Sequence, residues 1–334
     1  MNRWKIGVVA AFVVGLALVA GSVWYVGPSG LLQSVERVGA RGFAIYVVYN
    51  LLVFLPLGWA WWSVAPGSGS GPGRVLLFPW GRLVRESAAD VLPFSQVGGL
   101  VVGVRTVRQY GISEPLAVAS QIADLTAEIA SQLVYSLFGV AMLLAILSHA
   151  TDTGRLLWTA ILALGLGAAT LVAFVALQSR GVDFVGRLAS RWLEGTRERA
   201  DAVKATLRSI YARPQRLLGG VALHAAAWVL SGAGSWLALN FMGFHIALWK
   251  VLTLESLMAT VKSVAFMTPG ALGLQEGAYV LVAPLFGLPP EATLSVSLLR
   301  RVKDLLIGIP AMLIWQYTEV TGKRRASVIA PPAV

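Results

Sequence analysis

Two groups of ionisable residues stand in apolar surroundings where charge is costly. Asp124 and Glu128, four residues apart, share one face of a helix that begins near Pro115. Arg300, Arg301, Lys303 and Asp304 lie within a second helix that begins near Pro289. At roughly 1.5 Å per residue, both groups sit close to mid-depth of a ~30 Å hydrocarbon layer. A charge at that depth costs about 2.5–3.5 kcal/mol even on the lenient insertion scale, so these residues must face one another, water or an ionic ligand. They can bind a charged headgroup, or take up a proton. They also satisfy a resting set of salt bridges, Arg300 with Asp304 along one helix and Arg300 with Asp124 between the two halves.

Further charges flank two broken apolar stretches. Lys262 precedes, and Glu276 follows, the turn Pro269-Gly270-Ala271-Leu272-Gly273, where free helix-terminal N–H groups meet a carboxylate. Gly270 and Gly273 permit close backbone approach there, and a capped helix terminus is the alternative role for Glu276. Arg105 and Arg108 are placed to snorkel to the cytoplasmic interface, and Glu86 and Asp90 are also assigned to an interface. The three histidines, His149, His224 and His245, are distant in sequence and carry no metal-ligand spacing, so packing or capping is their expected role. Gly67–Gly73 lacks the Lys-Ser/Thr of a phosphate loop. Ser231, Gly232, Gly234 and Ser235 predict close helix contacts. No catalytic constellation, cofactor motif or metal site emerges.

The elements that position these residues follow from composition. Of 334 residues, 57% are hydrophobic and 13% charged, with a mean hydropathy of +0.72. Soluble domains carry about 25% charged residues, so an ordinary cytosolic globule and a disordered chain are both excluded. The net charge of +11 lacks the aromatic-interleaved basic tract of a nucleic-acid binder and is assigned to orientation in the membrane. The absence of cysteine removes disulfides, zinc–thiolate sites and Cys nucleophiles.

Full spans are read at Ile6–Val26, Phe43–Val64, Ile129–Ser148 (from a helix start near Pro115), Leu156–Leu177, Leu217–Phe241 and Pro289–Tyr317. Ile6–Val26 is taken as a retained helix because it lacks a small-x-small cleavage site. Arg74–Tyr110 and Lys250–Phe286, interrupted by Pro93, Pro269 and several Gly, read as re-entrant hairpins. The stretch Arg180–Arg216, with nine Arg/Lys and four Asp/Glu, reads as a cytoplasmic amphipathic helix ending at Pro214, and Lys323-Arg324-Arg325 as a cytoplasmic tail.

Pro93 and Pro269 lie 176 residues apart, as do Gly111 and Gly287, and Phe43–Val64 maps on Gly219–Asn240. Three crossings separate equivalent elements, so the halves must point oppositely, as in transporters with inverted repeats. The expected fold class is therefore an all-α polytopic membrane protein with about six full spans and two re-entrant hairpins. Its modules are 1–150 and 151–322, with a tail at 323–334. Both termini are expected inside the bacterial inner (cytoplasmic) membrane.

The run Pro269-Gly270-Ala271-Leu272-Gly273-Leu274-Gln275-Glu276-Gly277, followed by Gly287-Leu288-Pro289-Pro290-Glu291, resembles the lysylphosphatidylglycerol synthase transmembrane region, a flippase-like family. Pro93-Phe94-Ser95-Gln96-Val97-Gly98-Gly99, Gly103-Val104-Arg105 and Asp124-Leu125-Thr126-Ala127-Glu128 resemble its hopanoid-biosynthesis-associated branch. Ala271 stands where the family commonly has Gly, Leu100 where an acidic residue often follows the first-half glycines, and Leu125 where Arg is usual; Arg301 matches. No stretch reads as the soluble aminoacyl-transfer domain of bifunctional members. The resemblance therefore implies the lipid-handling half and not the synthase.

Two functions follow as expectations. One is a flippase moving a phospholipid, hopanoid or polyprenyl-linked lipid. Arg300, Arg301 and Lys262 hold its anionic head, Asp124, Glu128 and Asp304 supply counter-charge or accept a proton, and Glu276 orients the hairpin. The other is an accessory or enzyme subunit that presents a lipid to a hopanoid- or glycolipid-synthesising partner, with 180–216 as the docking surface. Membrane lipids are the expected partners in both, nucleic acid in neither, and self-association into a homo-oligomer is open to both. A purely structural role leaves the buried charge unexplained.

Overall fold

The structure, a computed structural model, describes residues 28–91, 95–147, 176, 196–264 and 274–329. All regular structure among them is helical. The expected spans Ile6–Val26 and Leu156–Leu177, together with His149, Gly270 and Gly273, lie outside the described residues.

Helix α1 (Pro28–Ser63) is broken at Gly39 by a left-handed residue (φ 60°). Past the tight turn of Gly67 and Gly69 come α2 (Pro72–Val91) and α3 (Ser95–Gln109), packed on each other. Helix α4 (Glu114–Leu147) completes the first set, with Pro115 in its first turn, where its missing N–H is harmless. Helix α5 (Thr196–Tyr211) covers the shorter, C-terminal part of the expected amphipathic segment and buries Val203, Leu207 and Ile210 against α4. Then follow α6 (Pro214–Phe241), α7 (Leu248–Val264), α8 (Leu274–Val282), a 3-10 turn (Ala283–Phe286) and α9 (Pro290–Ile329).

Glu36–Ser63, Glu114–Ile146 and Pro214–Phe241 are long and apolar enough to cross a membrane. Helix α9 is longer still and carries four charges between Arg300 and Asp304. Large apolar side chains such as Val48, Leu52, Val134, Leu306 and Leu313 point outward, while Arg82, Asp124, His224 and Glu276 are buried. Water would reverse that arrangement; lipid favours it. The protein is a polytopic all-α membrane protein.

Helix starts repeat at the spacing read from the sequence. Glu114 and Pro290, and likewise Pro72 and Leu248, open equivalent helices 176 residues apart. Left-handed glycines repeat too: Gly67 (φ 79°) with Gly243 (φ 87°), and Gly111 (φ 86°) with Gly287 (φ 78°). Even the turn bonds correspond. The Ile112 N–H donates to the Val107 carbonyl, and the Leu288 N–H to the Ala283 carbonyl. Packing partners exchange between the sets: α1 meets α6, α2 meets α9, and α7 meets α4.

Small residues set the closest approaches. A Cβ added to Gly58 would fall 2.1 Å from the Pro79 backbone nitrogen, so α1 and α2 touch main chain to main chain. Gly139 similarly abuts Ser256 between α4 and α7. The equivalent α2–α9 contact is apolar, built by Trp80, Val84, Met312 and Trp315.

Candidate functional site

The buried charges form two clusters. In the first, α4 presents Asp124 and Glu128 on one face, as the spacing predicts, and their partners come from α2. The Arg82 guanidinium donates to Asp124 Oδ2 and Glu128 Oε2, each at 3.0 Å, and also to Glu128 Oε1. Arg85 donates to the same two carboxylates at 3.1 Å. Glu86 adds a contact of 3.0 Å to Arg82. Helix α6 closes the group, with His224 Nε2 at 2.8 Å from Asp124 Oδ1. Arg82, Asp124 and His224 are 2%, 0% and 0% exposed.

In the second cluster α9 supplies the cations. Arg300 donates to both Glu255 oxygens at 2.9 Å and to Ser235 Oγ at 2.7 Å, and the Tyr279 hydroxyl donates to the same carboxylate at 2.6 Å. Next to it, Arg301 Nε donates to Glu276 Oε1 at 2.9 Å, and Ser297 Oγ at 3.0 Å. Glu276 lies in the first turn of α8, where an anion also favours the exposed helix N–H groups. Lys303 pairs with Asp304 at 2.7 Å.

Several expectations need correction. Arg300 pairs with neither Asp124 nor Asp304; its carboxylate is Glu255, reached from α7, and Asp304 is held by Lys303. Asp124 and its equivalent Arg300 thus find ion-pair partners on the hairpin of their own set, Arg82 and Arg85 for the one and Glu255 for the other, while His224 of α6 reaches Asp124 from the other set. His224 is bonded to a carboxylate rather than only packed. Glu86 belongs to the first cluster and not to an interface alone. Arg105 and Arg108 are about half exposed and pair with Glu319 and Glu114 at 3.1 and 3.0 Å. His245 sits past α6, at 3.0 Å from Asn240 Oδ1. Lys262 lies in α7, and its side chain is outside the described residues.

Sequence reading missed Arg82, Arg85, Glu255 and Tyr279. A signal was present for three of them, because an ionisable residue inside an apolar hairpin is a site candidate by default.

The clusters are joined along α4. Ser235 stands eleven positions after His224 on α6, about 16 Å along the helix. Polar contacts fill that interval: Trp228 Nε1 to Ser131 Oγ at 3.3 Å, Gln132 Nε2 to the Ala259 carbonyl at 3.0 Å, and the Tyr135 hydroxyl to the Leu252 carbonyl at 3.0 Å. Asp124, Glu128 and His224 also bring three potential ligand atoms within 4.8 Å of one another. Two guanidinium groups already occupy those carboxylates and would oppose a metal cation.

No curated protein and no solved structure matches the chain. A family model described as the lysylphosphatidylglycerol synthase transmembrane region matches residues 9–311. That interval contains every helix that carries the two clusters, with α9 entering it as far as Arg300, Arg301 and Asp304. The chain therefore belongs to the lysylphosphatidylglycerol synthase transmembrane-region family.

Proposed function

We propose that this protein moves an amphiphilic lipid across the bacterial inner membrane, taking the lipid's anionic head between α8 and α9 while the tail stays in the bilayer. The observation that carries this reading is the Glu276–Arg301 pair. Glu276 is 0% exposed and held on the broken hairpin, whereas Arg301 keeps 28% of its side chain exposed. A phosphate that displaces Glu276 gains a planar, bidentate donor, and Arg300 stands one residue away. Lys262, Gly270 and Gly273, which belong to the same stretch of sequence, are further candidates to meet the head.

Broken helices near mid-depth are where transporters place such sites. The repeated helix starts, turn glycines and exchanged packing partners support two modules, 1–150 and 151–322, inserted in opposite directions, with both termini and the 323–334 tail cytoplasmic. Rocking of one module against the other would alternate access to the head. Phospholipid, hopanoid and polyprenyl-linked lipid all have the required form, and the likeness to the hopanoid-associated branch favours a hopanoid or its derivative.

The test is transfer of labelled lipids in proteoliposomes by the native protein and by Arg301→Ala, Arg300→Ala and Asp304→Asn. Loss of transfer in both Arg variants, with Asp304→Asn affected less, supports the reading. Unchanged transfer in all three removes these residues from the path. No transfer of any lipid class by native protein, with a biosynthetic enzyme co-purifying, favours lipid presentation instead.

A further inference from the structure

The first cluster contains polar atoms that its ion pairs leave unused. Asp124 Oδ2 accepts from both Arg82 and Arg85, so Asp124 is a carboxylate and His224 Nε2 must carry the hydrogen between them. His224 Nδ1 is then a bare lone pair. It is buried and has no hydrogen-bond partner. His224 lies ten residues into α6, about 15 Å, near the centre of a ~30 Å layer.

A second observation comes from the Arg85 side of the same cluster. Gln121, one turn before Asp124, is 3% exposed, and both atoms of its amide lack partners, as does Arg82 Nε. Its Oε1 is 3.2 Å from where a Cβ on Gly103 would stand, a position itself 3.1 Å from the Arg85 Cβ. Buried polar groups are almost always paired with protein or water. Four unpaired atoms around one ionic cluster mark a site that takes something up.

Charge decides what it takes. Arg82 and Arg85 face Glu86, Asp124 and Glu128, one negative charge in excess while His224 is neutral. From α5 the Tyr211 hydroxyl meets Thr126 at 2.7 Å. At this level α1 offers Ser63 and Ala60, both uncharged, against Gly220 of α6. Glu255 of α7 and Arg300 of α9 meet α6 at Ser235 instead. A metal ion would have to coordinate beside two guanidinium groups. A proton needs no coordination shell, and it reaches Nδ1 on the opposite edge of the ring from Asp124.

We propose that His224 is a proton-binding site coupled to movement of the α2 hairpin against α4. The proton comes from water, adds to the Nδ1 lone pair and leaves by the same bond; nothing else is made or broken in the ring. Its charge cancels the excess and draws Asp124 toward α6, and so shifts the balance between the bonds that tie α4 to α2 and the one that ties α4 to α6. This coupling rests on the lipid-movement reading, for which it supplies an energy source.

The chain has three histidines, so uniform 15N-histidine labelling in lipid nanodiscs gives three ring systems, with His224 assigned through His224→Gln. The expected result is that the His224 ring passes from one ring proton to two on acidification. Removing the neighbouring anion with Asp124→Asn should move that transition, and replacing sodium with choline should leave it unchanged. A ring that stays singly protonated, a midpoint indifferent to Asp124, or a sodium-dependent signal overturns the proposal. In proteoliposomes an inward pH gradient should speed lipid transfer by native protein several-fold, while His224→Gln transfers at one rate with or without the gradient. Gradient dependence that survives in His224→Gln also overturns it. An intact His224 titration in a protein that moves no lipid defeats the transport reading and leaves the proton site standing.

Discussion

Arg82→Met should be among the most damaging single substitutions in this chain. Arg82 is 2% exposed and donates to Asp124 and Glu128 while also contacting Glu86. Without it, three carboxylates share Arg85, and the excess negative charge grows from one to two. Removing one partner of a buried ion pair costs about 3–5 kcal/mol because the other charge remains buried. For a chain of this length about 2 °C of melting temperature accompanies each kcal/mol, so a fall of roughly 6–10 °C is expected. The compensating double variant Arg82→Met/Asp124→Leu restores the native excess of one and removes the orphaned carboxylate. It should regain at least half of the loss. The assay is thermal aggregation of detergent-solubilised protein, with both single variants and the double variant measured together. A single variant within 1–2 °C of native, or a double variant no better than the worse single, would refute the claim that charge balance holds α2 to α4.

Other outcomes follow from the same contacts. Gly58→Ala should fail to assemble, since its Cβ would lie 2.1 Å from Pro79 main chain, whereas Gly73→Ala, with no neighbour within 4 Å, should melt like native; equal melting temperatures would sink the close-approach account. Glu255→Gln should cost about 3–5 kcal/mol by leaving Arg300 unpaired, while Tyr279→Phe, which removes one bond to the same carboxylate, should cost about 1–3 kcal/mol. The reverse order in thermal melts would contradict the cluster's geometry. Since the chain has no cysteine, Ser70→Cys and His245→Cys in equivalent turns can be labelled directly. They should react from opposite sides of the membrane, and Ala200→Cys only from the cytoplasm. Same-side labelling of the first pair would reject inverted modules.

The sequence alone pointed to the solvent, the helical class and helix starts spaced 176 residues apart. Apolar runs longer than a bilayer is thick can only be helices, because lipid offers the backbone no other partner. Glycines that adopt positive φ and prolines that open helices act locally, so Gly111 with Gly287, and Pro115 with Pro290, were legible before any fold was known. The buried charges of α4 and α9 were also legible, from the cost of placing them at that depth. Their partners were not. Which cation meets which anion depends on how hairpins of equal length pack beside two similar helices, and no spacing along one chain encodes that. Arg82 and Arg85 reach Asp124 across 42 and 39 residues, and His224 reaches it across 100. Tertiary packing therefore decided that one expected cluster is two, and it turned a histidine without a sequence motif into a partner of a fully buried carboxylate. Close contact in three dimensions is what makes the charge balance local.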